Sequence, residues 1–336
     1  MKRLLLCISA GIIAALILIQ LYNYFVHPEI CFYKQADAIT TLHEQKLRSE
    51  GHSCYIIAGG SEVKTSLIPS IMQAESGLAV VNTATAAGNG LAANASIGLN
   101  HLRPGDTMVL SLISGGETNI HATAGGLKLA SGLFGLRAFQ HNIIPLKPEV
   151  LFTLLSSDAA SMLSGAVRKI TRGYSFVYNR ESTLHPDGWM QVHRSTMQNV
   201  GLRKTIARDI IIGPECRELL LRTQQTCRQT KAAFVVMIPV GLSNYYEIKR
   251  RLMHALQLTR MGIPVLKDER LGLTVNNKIL ADTYYHMNAE GAEWNSRIVA
   301  RLLKEKSYWT EQELLAKMKE LGFTEDGTPQ QPATAI

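Results

Sequence analysis

The N-terminal segment constrains this 336-residue chain more than any other feature. After two basic residues, no charged side chain occurs between residues 4 and 26. A helix that crosses the hydrocarbon core of a bilayer needs roughly 20 apolar residues, so this segment is long enough to span one. Aromatic side chains at its far end suit a membrane interface. The sequence therefore predicts a signal anchor over residues 1–26, with residues 4–26 in the membrane.

The charges around this segment predict its orientation. Lys2 and Arg3 precede it, and basic residues on short flanks stay on the cytoplasmic side. Everything after His27 is then exported, which predicts a single-pass protein of a bacterial inner membrane with its body in the periplasm or extracytoplasmic space. A cleaved export signal is the alternative, and it places the body in the same compartment.

Composition excludes several classes of protein. A content of 46% hydrophobic and 18% charged residues indicates a folded chain and not a disordered one. The net charge of +8 is not concentrated in a basic stripe with interleaved aromatic residues, so nucleic acid is not an expected partner. Histidines and cysteines lack the spacing of a zinc site, and no metal or diffusible cofactor is expected.

Cysteine spacing allows one disulfide. Cys216 and Cys227 fall on one predicted helix, about 16 Å apart, which is too far for a bond. Cys31 and Cys54 are the more reasonable pair in an exported chain.

Short β-type segments alternate with helical ones after residue 50. Strands are predicted over residues 55–58, 78–82, 107–113, 232–240 and 263–266. Helices are predicted over residues 67–73, from the end of a small-residue loop after residue 82 to about 102, and over 148–171, 214–231, 292–305 and 310–321. This alternation is typical of an α/β protein with a doubly wound, mainly parallel sheet.

The chain therefore divides into an anchor and one main domain. Residues 27–50 are expected to form a linker or helical stalk, and residues 51–322 the α/β domain. An insertion around residues 121–212 interrupts that domain, and residues 323–336 form a flexible tail.

The insertion carries aromatic and polar side chains, namely Tyr174, Tyr178, Arg180 and Trp189. Aromatic rings beside polar donors suit stacking on sugars, and a cover over a site excludes water. Ordinary packing over the core is the alternative.

In doubly wound sheets ligands bind beyond the carboxyl ends of the strands. Ser61 follows the first predicted strand, where its hydroxyl would lie near helix N-terminal amides that can stabilise an oxyanion. A helix N-cap is the simpler role for this serine. Asp282 and His286 precede the last long helix, and such a pair supplies a general base with its orienting carboxylate. A surface loop is the alternative there.

Two further loops offer candidate oxyanion donors. Residues 82–93 contain a GxGxxA pattern, but its glycines begin six residues after the strand and no acidic residue ends the next strand, so a dinucleotide site is rejected. A loop of small residues suits an anion pocket instead, with Asn82, Ala84 and Gly88 as candidates. Asn119 could donate to the same oxyanion or serve as a turn residue.

Together these loops resemble the SGNH (GDSL-type) hydrolase superfamily, and in particular exported bacterial members associated with surface-polysaccharide modification. The resemblance extends from about residue 55 to 303. It is carried by residues 59–61, 80–82, 102–110, 282–288 and 291. Three departures are Gly60 where the family has Asp, Ala84 where it has Gly, and four residues from Asp282 to His286 where many members have three.

The resemblance implies the chemistry of a serine hydrolase. Ser61 would be the nucleophile, His286 the base and Asp282 its orienter, with the oxyanion held by groups of Ser61, Ala84 and Asn119. The implied protein is an esterase or O-acyltransferase acting on acyl, expected acetyl, esters of a cell-surface or secreted polysaccharide. A membrane acyl-donor protein is an implied partner. The alternative is a catalytically silent subunit of a polysaccharide synthesis or export complex.

Overall fold

A computed structural model describes residues 1–113, 120–121, 128–129, 131–141, 143, 147–172, 182–193, 211–243 and 245–327. Its helices are α1 (Lys2–Phe25), α2 (Pro28–Ser49), α3 (Ser61–Ser66), α4 (Pro69–Ser76), α5 (Leu91–Asn100), α6 (Pro148–Arg172), α7 (Pro214–Gln229), α8 (Tyr245–Arg260), α9 (Ala289–Glu305) and α10 (Glu311–Glu320). Its strands are β1 (Cys54–Ala58), β2 (Ala79–Asn82), β3 (Thr107–Ser111), β4 (Ser182–Leu184), β5 (Met190–Val192), β6 (Ala233–Met237), β7 (Gly241–Leu242) and β8 (Leu273–Thr274). Short 3₁₀ turns occupy Ala87–Asn89 and Asn277–Ile279, and a π turn occupies Ser131–Gly135.

The centre of the fold is a four-stranded sheet in the order β2-β1-β3-β6, and every pairing in it is parallel. This confirms the predicted α/β class with a parallel sheet. The predicted strand over residues 263–266 is reduced to a single parallel bridge between Val236 and Val265 beside β6. Pro264 has no N–H to donate, so a strand at residues 263–266 can form few of the hydrogen bonds that pair it with β6.

Both faces of the sheet are buried, as the apolar runs of its strands require. On one face Ile56, Met108 and Val236 join the core formed with α5, α7 and α8. On the other face, Val109 and Val235 join a second core with α4 and α9. Helices therefore cover both sides, and only the ends of the strands remain for a site.

The N-terminal helix α1 has the properties predicted for an anchor. It is 24 residues long, and by length and composition it can cross a membrane. Most of its apolar side chains are exposed, as expected for a segment that would face lipid. These properties favour single-pass anchoring.

The segment expected as a linker is helix α2, and it packs on the sheet instead of standing apart. Near its C-terminal end, Arg48 makes a two-bond ion pair with buried Asp106, at 2.8 and 2.7 Å. Two turns earlier, the Thr40 hydroxyl donates to the backbone oxygen of Asn82 at 3.3 Å. Because seven of its residues are buried, α2 is part of the α/β domain.

These contacts orient the domain relative to α1. Asp106 precedes β3 and Asn82 ends β2, so α2 runs from the carboxyl edge of the sheet at Thr40 to the amino edge at Arg48. The residues before Thr40 therefore continue outward from the carboxyl edge. Thr40 lies 12 residues after Pro28, the first residue of α2, which corresponds to about 18 Å of helix. The edge that carries ligands in such sheets thus faces the end of α1.

The predicted Cys31–Cys54 disulfide is wrong, because both thiols are free. The backbone N–H of Cys54 donates to Asp106, the partner of Arg48, so Cys54 lies beside the end of α2. Cys31 is 17 residues before Arg48 on the same helix, about 25 Å away. A disulfide needs Cα atoms within about 7 Å.

The described parts of the insertion contain the π turn, one long helix and one hairpin. Helix α6 confirms the helix predicted over residues 148–171. Strands β4 and β5 pair antiparallel, so this stretch is ordered by a hairpin. Tyr174, Tyr178, Arg180 and the end of the predicted tail, 328–336, lie outside the described residues. Farther along the chain, α10 confirms the helix predicted over residues 310–321, and a capping box of Thr310 and Glu313 begins it.

Candidate active site

Ser61 is the first residue of α3, directly after β1, at the carboxyl edge of the sheet. The other five residues of this short helix are buried, and Ser61 alone is partly exposed. The fold therefore presents one hydroxyl from an otherwise enclosed helix.

A helix of six residues cannot satisfy its own carbonyl groups, so neighbouring elements must do so. The Asn82 side chain donates to the oxygens of Val63 and Leu67, at 3.3 and 3.2 Å. The Trp189 indole donates to Thr65 at 2.9 Å, and the Asn295 amide donates to Ser66 at 3.2 Å. Strand β2, the β4–β5 hairpin and helix α9 thus hold the helix that carries Ser61.

His286 and Asp282 complete a hydrogen-bonded chain with Ser61. The Nε2 atom of His286 lies 2.8 Å from the Ser61 hydroxyl, and its Nδ1 atom lies 2.7 Å from Oδ1 of Asp282. The imidazole is largely enclosed, with 5% of His286 exposed. The structure brings together all three residues that the sequence predicted as catalytic, although Ser61 and His286 are 225 positions apart.

The four-residue spacing from Asp282 to His286 is accommodated by a closed loop. The N–H of Ala281 donates to the oxygen of His286 at 2.8 Å, and Leu280 pairs with Met287 in an antiparallel bridge. Within the loop, the Thr283 hydroxyl accepts from the N–H of His286 at 3.0 Å. These bonds turn the chain back on itself, so both side chains of the pair point to one side.

Asn288, two residues after His286, fixes this loop to helix α9. The Asn288 side chain caps the helix by accepting from the N–H of Gly291 at 2.9 Å, and its amide donates to the oxygen of Lys278 at 2.6 Å. A Cβ atom on Gly291 would lie 2.4 Å from the oxygen of Ile279, so only glycine fits where the helix and loop meet. Helix α9 therefore positions the base as well as the nucleophile helix.

Two of the predicted oxyanion donors have other roles. The N–H of Ala84 donates to Oδ1 of Asn82 at 3.2 Å, so it does not point at a substrate. The Asn82 amide is occupied with the carbonyls of α3. The prediction for these two residues is wrong, because the Asn82 amide holds the nucleophile helix and the Ala84 N–H is bonded to Asn82. Gly88 lies in the 3₁₀ turn of the same loop, and Asn119 lies outside the described residues.

Backbone amides near Ser61 are better placed. Among the described residues, the N–H of Ser61 itself has no acceptor, as expected at the first position of a helix. The backbone of Ala87 lies very close to Gly60, the residue before Ser61. A Cβ atom on Gly60 would lie 2.7 Å from the Ala87 nitrogen. This contact also explains why glycine stands at position 60.

A buried carboxyl group beside the nucleophile escaped the sequence analysis. Glu62 is 3% exposed, and its Oε1 atom accepts from the N–H of Gly60 at 2.9 Å and from the Ser111 hydroxyl at 3.1 Å. Burial raises the pKa of this carboxyl. The hydrogen bonds that the Glu62 carboxyl accepts, and the charge of nearby His286, oppose that effect. Glu62 therefore fixes the turn before Ser61 from inside the core. In the sequence, Glu62 is marked only by its position after a serine at the start of a helix. Acidic residues are common at helix N-termini, so this position did not indicate a buried carboxyl.

Lys64 is the second buried ionisable group on this helix. Its ammonium group lies 3.1 Å from the oxygen of Asn82 and 3.4 Å from the Thr40 hydroxyl, between α2 and the end of β2. Burial lowers the pKa of Lys64 to about 8, although the carboxylates of Asp37 and Asp187 oppose the shift. The lysine thus connects the nucleophile helix to α2 at an electrostatic cost.

Replacing Lys64 with methionine is expected to remove a pH-dependent part of the stability. Because the folded-state pKa of Lys64 is lowered, its charge destabilises the fold below about pH 8, and stability recovers as the pH rises toward 10.5. The wild-type free energy of unfolding should rise by roughly 3 kcal/mol over that range, and that of Lys64→Met should not. Urea unfolding in detergent at both ends of the range measures this. The control is Lys304→Met, an exposed lysine on α9; equal slopes in both variants would contradict the assignment.

Trp189 does not offer a surface for sugar stacking. Only 6% of this residue is exposed, and its indole N–H is bonded to α3. The idea of a glycan platform at Trp189 is therefore wrong, because the hairpin folds inward against the nucleophile helix. Packing, the alternative considered for this segment, is the role that the structure gives to Trp189.

Comparison of the chain with protein-family models, curated proteins and solved structures finds no significant match. Across the part of the chain that the structure describes, no group of three or more His, Cys, Asp or Glu side chains is placed to hold a metal ion. The function must therefore be inferred from the Ser61 site itself.

Proposed function

We propose that this protein is a membrane-anchored serine esterase or O-acyltransferase that acts on acyl esters of a cell-surface or secreted glycan. The observation that carries the proposal is the chain of hydrogen bonds from Ser61 through His286 to Asp282, at 2.8 and 2.7 Å. A hydroxyl, an imidazole and a carboxylate in this order form the arrangement that activates serine in unrelated hydrolases.

The first half of the reaction forms an acyl-enzyme. His286 takes the proton of the Ser61 hydroxyl at Nε2, and the oxygen attacks the ester carbonyl. The backbone N–H groups of Ser61 and Ala87 are the proposed oxyanion donors, replacing Ala84 in that role. The imidazolium then returns its proton to the departing alcohol as the carbon–oxygen bond breaks. Asp282 accepts from Nδ1 throughout, which fixes the tautomer and stabilises the imidazolium.

The second half decides between hydrolysis and transfer. Water or a sugar hydroxyl gives its proton to Nε2 of His286 and attacks the carbonyl carbon of the Ser61 ester. The bond from that carbon to the Ser61 oxygen then breaks as the imidazolium returns the proton to Ser61, which frees a carboxylic acid or a new ester. Both outcomes use the same residues, and no cofactor enters either of them.

The assignment to the SGNH hydrolases belongs to this proposal. It is supported by the parallel sheet with helices on both faces, the nucleophile directly after β1 and the Asp–His loop directly before α9. The departure at position 60 has a physical cause, since the side chain of an aspartate would collide with the Ala87 backbone. The glycan substrate and a partner that donates the acyl group rest on the resemblance together with the anchor helix.

A fluorophosphonate probe tests the proposal directly. The full-length protein in detergent should be labelled covalently at Ser61, and Ser61→Ala should lose the label completely. Ser66→Ala is the matched control, because it removes another serine of α3, whose hydroxyl donates to the oxygen of Glu62. A folded wild-type protein that resists the probe would favour the alternative, a catalytically silent subunit of a polysaccharide complex.

A further inference from the structure

Helix α6 carries an apolar stripe that the proposed chemistry does not use. Phe152, Leu163 and Val167 are 72%, 64% and 59% exposed, and the exposed residues Ser156 and Ala160 fall between them. Their spacing of three or four residues places all five on one side of the helix. This side extends for about 22 Å without a charged side chain.

The opposite side of α6 packs beside the end of α1. Asp158 is the only charged residue between positions 150 and 167, and it is fully buried. Its backbone oxygen accepts from the Asn23 amide at 3.2 Å, and its carboxyl group accepts from the N–H of Leu129 at 3.2 Å. Polar groups within the membrane depth of a protein are expected to pair with one another in this way, facing inward.

The contact sets the depth of α6. Near its C-terminal end, α1 has one face whose side chains are fully or partly covered. This face consists of Leu16, Ile19, Gln20 and Asn23, over the last turns of α1. If α1 crosses a bilayer, these turns occupy the outer part of it, about 10 Å in height. A helix packed against them lies at the same depth and meets lipid on its outer side.

The π turn adds to the same surface. It packs against α1, and its residues Leu133 and Phe134 are 47% and 73% exposed. Phe25 and Val26, at the end of α1, are exposed as well. Apolar side chains from three elements therefore surround the point where α1 ends, and soluble surfaces seldom expose such a patch.

We propose that α6 and the π turn at residues 131–135 lie in the outer interfacial region of the same bilayer that α1 spans. The apolar stripe of α6 from Phe152 to Val167 faces lipid, as in helices that lie in the membrane interface. Lipid is favoured over a protein partner because the stripe continues the exposed surface of α1. This contact would hold the carboxyl edge of the sheet at a fixed distance from the membrane. The proposal does not depend on the reaction at Ser61.

Site-directed fluorescence in the full-length protein tests this placement. In a background in which the exposed Cys7 and Cys31 are serine, three leucines of comparable size are changed singly to cysteine and labelled with the environment-sensitive dye NBD. Leu163→Cys reports on the α6 stripe, Leu18→Cys on the membrane helix, and Leu221→Cys on a partly exposed position of α7. Phe152→Cys gives a second reading of the stripe.

The labelled proteins are reconstituted in phosphatidylcholine and phosphatidylglycerol vesicles with or without doxyl-labelled phosphatidylcholine. The probes at 163 and 152 should show blue-shifted emission and lose most of it to a shallow doxyl group, and the probe at 221 should not. A probe at 163 as water-exposed as that at 221 would overturn the proposal. A probe at 163 that is shielded from water but not quenched by doxyl lipid would also overturn it, because a second copy or another protein would then cover α6. Failure of quenching at both 18 and 163 would reject the anchor together with the proposal.

Discussion

Replacing His286 with alanine is expected to lower ester hydrolysis and the rate of fluorophosphonate labelling by about 10⁶-fold, the loss found when the base of a serine protease is removed. The reason is geometric: among the described residues, His286 is the base bonded to the Ser61 hydroxyl, at 2.8 Å. Without it the hydroxyl keeps its proton and remains a weak nucleophile. Turnover of a small aryl acetate, measured on full-length protein in detergent, gives the ratio.

The matched control for this experiment is His52→Ala. His52 lies on the surface, where its side chain pairs with exposed Glu50, so its loss should leave turnover unchanged. Because His286 is buried and makes two hydrogen bonds, the variant must also be shown to unfold cooperatively. A folded His286→Ala protein that labels at the wild-type rate would contradict the assignment of the base.

The sequence alone was sufficient for the parts of the site that depend on local patterns. A serine after a buried strand and an Asp–His pair before an amphipathic helix each lie at the end of a predicted element. Parallel strands bring such ends to one edge, so Ser61 and His286 could be expected together across 225 positions.

The second oxyanion donor could not be predicted in the same way. Whether an amide is free depends on the bonds of its neighbours, and the Asn82 side chain turns inward to hold α3 while it accepts from Ala84. The close approach of Ala87 to Gly60 is a tertiary contact without a sequence pattern. Loops of small residues predict where an anion could fit, but not which amide faces it.

The role of α2 was also hidden from the sequence for a physical reason. Its mixed polar composition is typical of a solvent-exposed stalk, but several of its polar residues bond to other elements of the domain. Glu44, for example, is buried between Arg48 and His101, at 3.0 and 2.6 Å. The favourable ion pairs and hydrogen bonds outweigh burial and lower the pKa of Glu44, so a charged residue here indicates packing and not exposure.

Asp282→Asn is expected to reduce turnover on the order of 10⁴-fold while the fold survives. Asparagine keeps the size of the side chain, but its amide can donate to Nδ1 of His286 and stabilise the tautomer that has no acceptor at Nε2. The loop itself should persist, since the Ala281–His286 bond and the Thr283 hydroxyl hold its backbone without Asp282. The loss should therefore appear in kcat with KM little changed.

Asp268→Asn is the matched control, because Asp268 pairs with Arg270 and makes no contact with the triad in the described part of the chain. The two variants should unfold at similar denaturant concentrations and differ only in turnover. Wild-type kcat in Asp282→Asn would show that the carboxylate 2.7 Å from His286 neither sets its tautomer nor stabilises its charge. That contact is what distinguishes a triad from a serine–histidine pair. Without a role for it, the loop backbone alone would orient the base. The four-residue spacing would then explain why Asp282 takes no part in the reaction.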